Sequence, residues 1–238
     1  MSCRGFRVLE AMFYALARDA FIVKKKCMST MRNLALFDFD GTITSEDTYS
    51  KFLYFATPKP RLVIGLSFIW PAIALYRCGV LPASRLRPVL SFLAFCRRDV
   101  DEVECLAKRF TQQYLPSVIR EIAQTRIDWH LERGDDVFVV SAGVNPYLSI
   151  WTENQGIKLV CSELTRRNGR FTGRYQGGDC SRENKVRLLA SRVDVSAYTK
   201  VFAYGDTFED VPMLRIADES YLNWKPFGEV TPDSIKAS

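Results

Sequence analysis

The 238-residue chain predicts an α/β protein with a Rossmann-like, doubly wound parallel sheet and a helical insertion near its start. Three observations predict it. Short apolar runs, LALF (34–37), VFVV (137–140), IKLV (157–160) and VFAY (201–204), recur along the chain. Each of the last three follows a stretch of helical pattern, as βαβ units require. The interval from about 45 to 125 carries no strand signal and reads as helices laid over the sheet.

Taken in order, residues 1–30 read as an extension or an over-long start. A patchy amphipathic run (Phe6, Leu9, Met12, Phe13, Leu16) precedes Lys24, Lys25 and Lys26. Glu10 breaks the apolar region that a cleaved signal peptide needs, which leaves a membrane-surface helix as the sharper alternative. The core is expected over 31–45 and 126–238, with a helical cap at 46–125. Within the cap, LVIGLSFIWPAIALY (62–76) holds fifteen residues without a charge, between Arg61 and Arg77 and with Pro71 inside. As a helix it spans about 22 Å, short of the roughly 30 Å hydrocarbon core. Two placements fit it: a helix buried inside the cap, or an interfacial or re-entrant membrane segment. Farther on, Gly134 and Gly156 stand where helices end on glycine. Asn168-Gly169 reads as a hairpin turn.

Hydrophobic content of 47% and charged content of 25% are ordinary for a globular chain. The net charge of +6 is uneven: residues 48–98 hold Lys51, Lys59, Arg61, Arg77, Arg85, Arg87, Arg97 and Arg98 and no acid. Such a segment favours an anionic partner. No interleaving of aromatic and basic residues points to nucleic acid. Seven cysteines never spaced as CxxC, with a single histidine, argue against a zinc site or a disulfide framework. We read them as reduced thiols of a cytoplasmic protein.

Ligands of a doubly wound sheet bind beyond the carboxyl ends of its strands. There the sequence places Asp38, Asp40, Gly41 and Thr42 after LALF, Ser141, Ala142 and Gly143 after VFVV, and Gly205, Asp206 and Asp210 after VFAY. A helix before the last of these runs carries Lys185. Converging carboxylates repel and raise one another's pKa, and Mg²⁺, which prefers oxygen ligands, removes that conflict. Lys185, Ser141 and loop amides supply donors for phosphate oxygens. A carboxylate beside such a phosphate is placed for in-line attack, and a second one two residues on can protonate the leaving oxygen and then activate water.

DFDGT, VVSAG, the helical Lys185 and GDTFED, in that order, resemble the four motifs of the haloacid dehalogenase-like phosphohydrolase superfamily. The resemblance implies Asp38 as nucleophile and Asp40 as general acid/base. It implies Mg²⁺ held by Asp38, the Asp40 carbonyl and Asp206 with Asp210 in support, and phosphate bound by Thr42, Ser141, Ala142, Gly143 and Lys185. A helical insertion between the first two motifs is similar to subgroup IB, the branch of phosphoserine phosphatase and of a bacterial phosphatidylglycerophosphatase. By the first likeness, Asp47 would hold a substrate amine and one of Arg85, Arg87, Arg97 and Arg98 its carboxylate, with Arg97 and Glu209 the substrate candidates beside Asp47. Glu209 departs from that enzyme's asparagine, and the uncharged 62–76 has no counterpart in its cap. By the second likeness, the basic, apolar cap suits a phosphorylated lipid. The expected partner is therefore a phosphorylated anionic small molecule or lipid, with contact at the inner face of the membrane through 62–76. A phosphoserine-type metabolite is the alternative substrate, and a non-catalytic membrane-surface binding protein the alternative of another class.

His130 reads as a structural hydrogen bonder near a helix end, Cys180 as a buried thiol, and Tyr204, Trp129, Trp151 and Trp224 as packing residues.

Overall fold

The computed structural model describes residues 32–229; the expectations for residues 1–30 lie outside them. β1 (Leu34–Phe37) is fully buried and occupies the middle of a seven-stranded sheet. It pairs in parallel with β2 (Asp136–Val144) on one side and β5 (Val201–Gly205) on the other. β3 (Lys158–Arg167) and β6 (Glu219–Leu222) extend the sheet in parallel, and β4 (Arg170–Gln176) and β7 (Lys225–Pro226) close its two ends antiparallel. The central strands are apolar without alternation because both faces are covered. Ala35, Phe37, Val139 and Tyr204 face one layer, and Leu36, Phe138, Val140 and Ala203 face the other.

Between β1 and β2 the chain forms α1 (Thr48–Ala56), α2 (Lys59–Arg77), α3 (Ala83–Phe95), α4 (Val100–Gln113) and α5 (Glu121–Glu132). An aromatic cluster ties the helices to the sheet layer. Phe52 of α1 lies 5.2 Å from Phe110 of α4 and 4.9 Å from Tyr147, between ring centroids. Tyr147 belongs to α6 (Asn145–Gln155), which follows β2 and ends on Gly156 at φ +68°. On the opposite layer, α7 (Glu183–Ala190) precedes β5 and α8 (Val211–Leu214) follows it. The β3–β4 hairpin turns at Asn168 and Gly169, both with positive φ.

The sequence admitted a buried helix over 62–76; the structure corrects that reading. Gly65 is the one buried residue of α2, set against Leu93 of α3, where the missing side chain lets the helices approach. Phe68 (79% exposed), Val63 (67%) and Trp70 (64%) face outward. The reason lies in the residue order: apolar side chains surround α2, and one neighbouring helix covers only one side of it. No helix among the described residues is long and apolar enough to cross a membrane.

Candidate active site

The register brings the site together. Phe37 aligns with Val139 and with Tyr204, so Asp38, Ser141 and Asp206 leave the sheet at one edge. The Asp38 N–H donates to the Tyr204 carbonyl at 2.9 Å, which extends the strand pairing one residue past β1. The chain then winds through one tight turn, Phe39–Ile43, with Gly41 at φ +81°. A side chain at 41 is excluded twice over: the conformation is left-handed, and a Cβ would lie 1.9 Å from Asp206 Oδ2.

Lys185, on α7 and 2% exposed, donates from Nζ to both Asp38 Oδ1 and Asp210 Oδ1. The other oxygen of Asp210 accepts from the N–H groups of Asp206 (3.2 Å) and Thr207 (3.1 Å), so Asp210 fixes the loop after β5. Asp40 is held from the cap side. Its Oδ1 accepts from Thr48 N at 2.8 Å and from the Thr48 hydroxyl, which in turn lies 3.1 Å from Tyr147 Oη. Ser141 is buried, and its Oγ accepts from Gly143 N at 2.9 Å. The Thr42 hydroxyl is buried with no hydrogen-bond partner among the described residues.

Burial and mutual repulsion dominate the electrostatics. Burial, then the Asp210 charge, pushes the Asp38 carboxyl well above the usual range. The same two causes raise Asp206 to about 7. Burial and the nearby Asp47 raise Asp40 to about 6, against the Thr48 hydrogen bonds. Asp210 moves the other way: its burial is overcome by Lys185 and the loop amides, which hold it below the usual value. Against its own burial, Lys185 is raised by Asp210 and Asp38, and it stays charged. One ammonium thus faces several buried carboxylates. Asp38, Asp206 and Asp210 can each offer an oxygen within 4.8 Å of the others. An all-oxygen donor set with surplus negative charge fits Mg²⁺.

These groups floor a cleft of about 650 Å³. Asp38, Asp40, Ala142, Ser141, Lys185 and Asp206 line it. Asp47 and Glu209 stand at its rim: Asp47 caps α1 by accepting from Ser50 N at 3.1 Å. Gly143 and Thr42 do not line the cleft. Gly143 is glycine for another reason, since a Cβ there would sit 2.6 Å from the Tyr147 hydroxyl.

Arg97 is not brought to the site. It is exposed beyond the end of α3, at φ +62°, with its N–H donating to Phe171 of β4. The cap arginine that reaches the cleft is Arg87, bound to Asp179 (2.8 Å) and Glu209 (2.5 Å). Thr48, Tyr147 and Asp179 were not anticipated. Thr48 follows Asp47 directly at a helix start, but Tyr147 meets it across 99 residues. His130 donates or accepts at both ring nitrogens, to Asp135 (2.8 Å) and Tyr204 (3.0 Å), and lies outside the cleft.

Residues 35–215 match the family model described as haloacid dehalogenase-like hydrolase. Protein CicA of Caulobacter vibrioides is 29% identical over 192 residues, covering 78% of this chain and 83% of the relative. Histidinol-phosphatase of Neisseria meningitidis is 26% identical over 208 residues, covering 79% and 89%. A substrate-bound phosphoserine phosphatase structure aligns with a TM-score of 0.57 at 21% identity, covering 79% of this chain and 84% of that one.

Proposed function

The chain belongs to the haloacid dehalogenase-like hydrolase family and is a phosphatase, and we propose that it cleaves phosphomonoesters through an aspartyl-phosphate intermediate. One observation carries the proposal: a carboxylate at the end of the central strand, hydrogen-bonded to a buried lysine, with a second carboxylate two residues on held by a separate element. Asp38 attacks phosphorus, and the bond from phosphorus to the leaving oxygen breaks. Asp40 gives that oxygen its proton. Thr48 occupies Oδ1 of Asp40 with two donors, which leaves Oδ2 for the proton. As a carboxylate, Asp40 then takes a proton from the water that attacks the acyl phosphate, releasing inorganic phosphate and restoring Asp38. A pKa near 6 lets Asp40 serve in both steps close to neutrality. Mg²⁺, held by Asp38, the Asp40 carbonyl and Asp206 with Asp210 in support, would neutralise phosphate charge. Ser141, Lys185 and the Ala142 backbone are assigned to the phosphate.

For the substrate we favour a phosphorylated lipid head group, such as phosphatidylglycerophosphate. The support is the apolar part of the lining, Tyr76 at the end of exposed, apolar α2 with Leu81, Pro82, Leu86 and Leu90 after it. A soluble metabolite is the second reading. Asp47, on the rim and in no ion pair among the described residues, suits a substrate amine, and the Neisseria relative is a histidinol-phosphatase. Phosphoserine fits less well because Arg87, which would hold its carboxylate, is already bound by two carboxylates.

The test is Mg²⁺-dependent phosphate release from phosphatidylglycerophosphate micelles, histidinol phosphate and phosphoserine, with Asp38→Asn as the blank. Fast release from micelles alone supports the lipid; release from a soluble ester alone assigns the rim carboxylates to specificity.

A further inference from the structure

We propose that α2 is a docking surface for an anionic lipid bilayer, lying in the membrane interface rather than across it and setting the cleft mouth against the head groups. Its outward residues include Val63, Ile64, Phe68 and Trp70, and exposed Val80 continues the apolar surface at the tip of the following loop. Large apolar side chains exposed together on one element mark an interaction surface. Tryptophan and flanking basic residues are the side chains that suit a membrane interface.

Charge identifies the partner. Lys59 and Arg77 bracket α2, about 27 Å apart along the helix, and Arg85 follows on α3. All three are exposed and pair with no carboxylate among the described residues. Of the other basic groups of the segment, Arg97 is exposed past the end of α3, and the rest are already engaged: Lys51 with Glu46, Arg61 with the Leu93 and Cys96 carbonyls, Arg87 with Asp179 and Glu209, and Arg98 with Glu102. Residues 48–98 contain no acid. A second copy of this chain is a poor occupant, since a two-fold contact through α2 would set these cations against themselves. Anionic head groups neutralise them while acyl chains accept the apolar face.

The surface also leads to the site. Tyr76, in the last turn of α2, and Leu81 and Pro82 beyond it line the cleft that Asp38 and Lys185 floor. A lipid phosphate could pass from the docked surface to Asp38 along one apolar wall. That route rests on the lipid-phosphate reading above; the docking does not.

Co-sedimentation of the full chain with phosphatidylcholine vesicles, with and without phosphatidylglycerol, tests it. The expected result is binding about tenfold stronger with phosphatidylglycerol. Phe68→Ser with Trp70→Ser, and separately Lys59→Glu with Arg77→Glu, should each weaken that binding about tenfold. Each variant should keep its hydrolysis of p-nitrophenyl phosphate, which also shows that it is folded. In the unaltered chain, vesicles should shift Trp70 emission to the blue and brominated lipid should quench it, a change missing from Trp70→Phe. Docking is overturned if the chain stays in the supernatant, if the serine variant sediments equally, or if that variant instead turns a dimer into a monomer. Vesicle binding without phosphate release from phosphatidylglycerophosphate would keep the docking and remove the lipid substrate.

Discussion

α4 and α2 are both cap helices, yet they are built on opposite principles. α4 buries Val100, Val103, Ala107, Phe110 and Thr111 along one stripe and turns its charged residues outward. Asp99 caps it by accepting from the N–H groups of Asp101 (3.0 Å) and Glu102 (3.3 Å), which satisfies donors that the first turn leaves free. α2 starts on Pro58 with no side-chain cap, carries Pro71 inside, and buries Gly65 alone. Packing and capping therefore account for the sequence of α4. They do not account for α2, whose large apolar side chains cost solvation in the isolated fold. A helix with that composition on the outside points to a function beyond stability.

The comparison can be broken or sharpened by substitution. Asp38→Asn should have the largest effect, a loss of phosphate release of about 10⁴-fold or more. Its thermal midpoint should hold or rise, because a buried carboxylate among like charges is removed. A lower midpoint would show that Asp38 is needed for folding. Next, Phe110→Ala should destabilise the protein by about 3–5 kcal/mol in urea denaturation, while Phe68→Ala should change stability by about 0.5 kcal/mol at most. Equal losses would erase the distinction between the two helices.

Arg87→Met should cost about 3 kcal/mol, since Asp179 and Glu209 would be left in a poorly solvated site without their cation. Replacing Asp179 and Glu209 as well should recover part of that loss; an Arg87→Met variant of unchanged stability would show that the clamp holds nothing.

The smallest effect concerns His130. Burial pushes its pKa below the usual value, against the pull of Asp135, with Arg126 and Arg133 adding to the fall. Its contribution is thus full above the unfolded pKa of about 6.5, and it is lost as pH drops and the unfolded chain takes up the proton. The stability difference between the unaltered protein and His130→Asn should shrink as pH falls from 7 to 5, roughly within 1 kcal/mol. A difference that grows would mean that His130 is charged in the fold.

Strands β1, β2 and β5 were legible because buried parallel strands read as unbroken apolar runs, and the residues after them carried the site. The β3–β4 hairpin was legible from Asn168-Gly169, where both residues take positive φ. β6 was not: of ESYL only Leu222 is buried, so it carries little pattern, and β7 is two residues with a proline. Choosing Arg87 over Arg97 required the tertiary path of α3, because both lie in one basic stretch and only the fold turns one toward the cleft. The Thr48–Tyr147 contact that steadies Asp40 joins elements far apart in sequence, and no local pattern marks it. Composition alone likewise left α2 free to be buried or exposed.

The central claim is that Asp38 takes the phosphoryl group. Rapid acid quenching during turnover of p-nitrophenyl phosphate with Mg²⁺, followed by peptide mass spectrometry, tests it most directly. One phosphoryl group should appear on the peptide carrying Asp38, and none in Asp38→Asn. Turnover with the phosphoryl group on another residue, or undiminished turnover in Asp38→Asn, would contradict it.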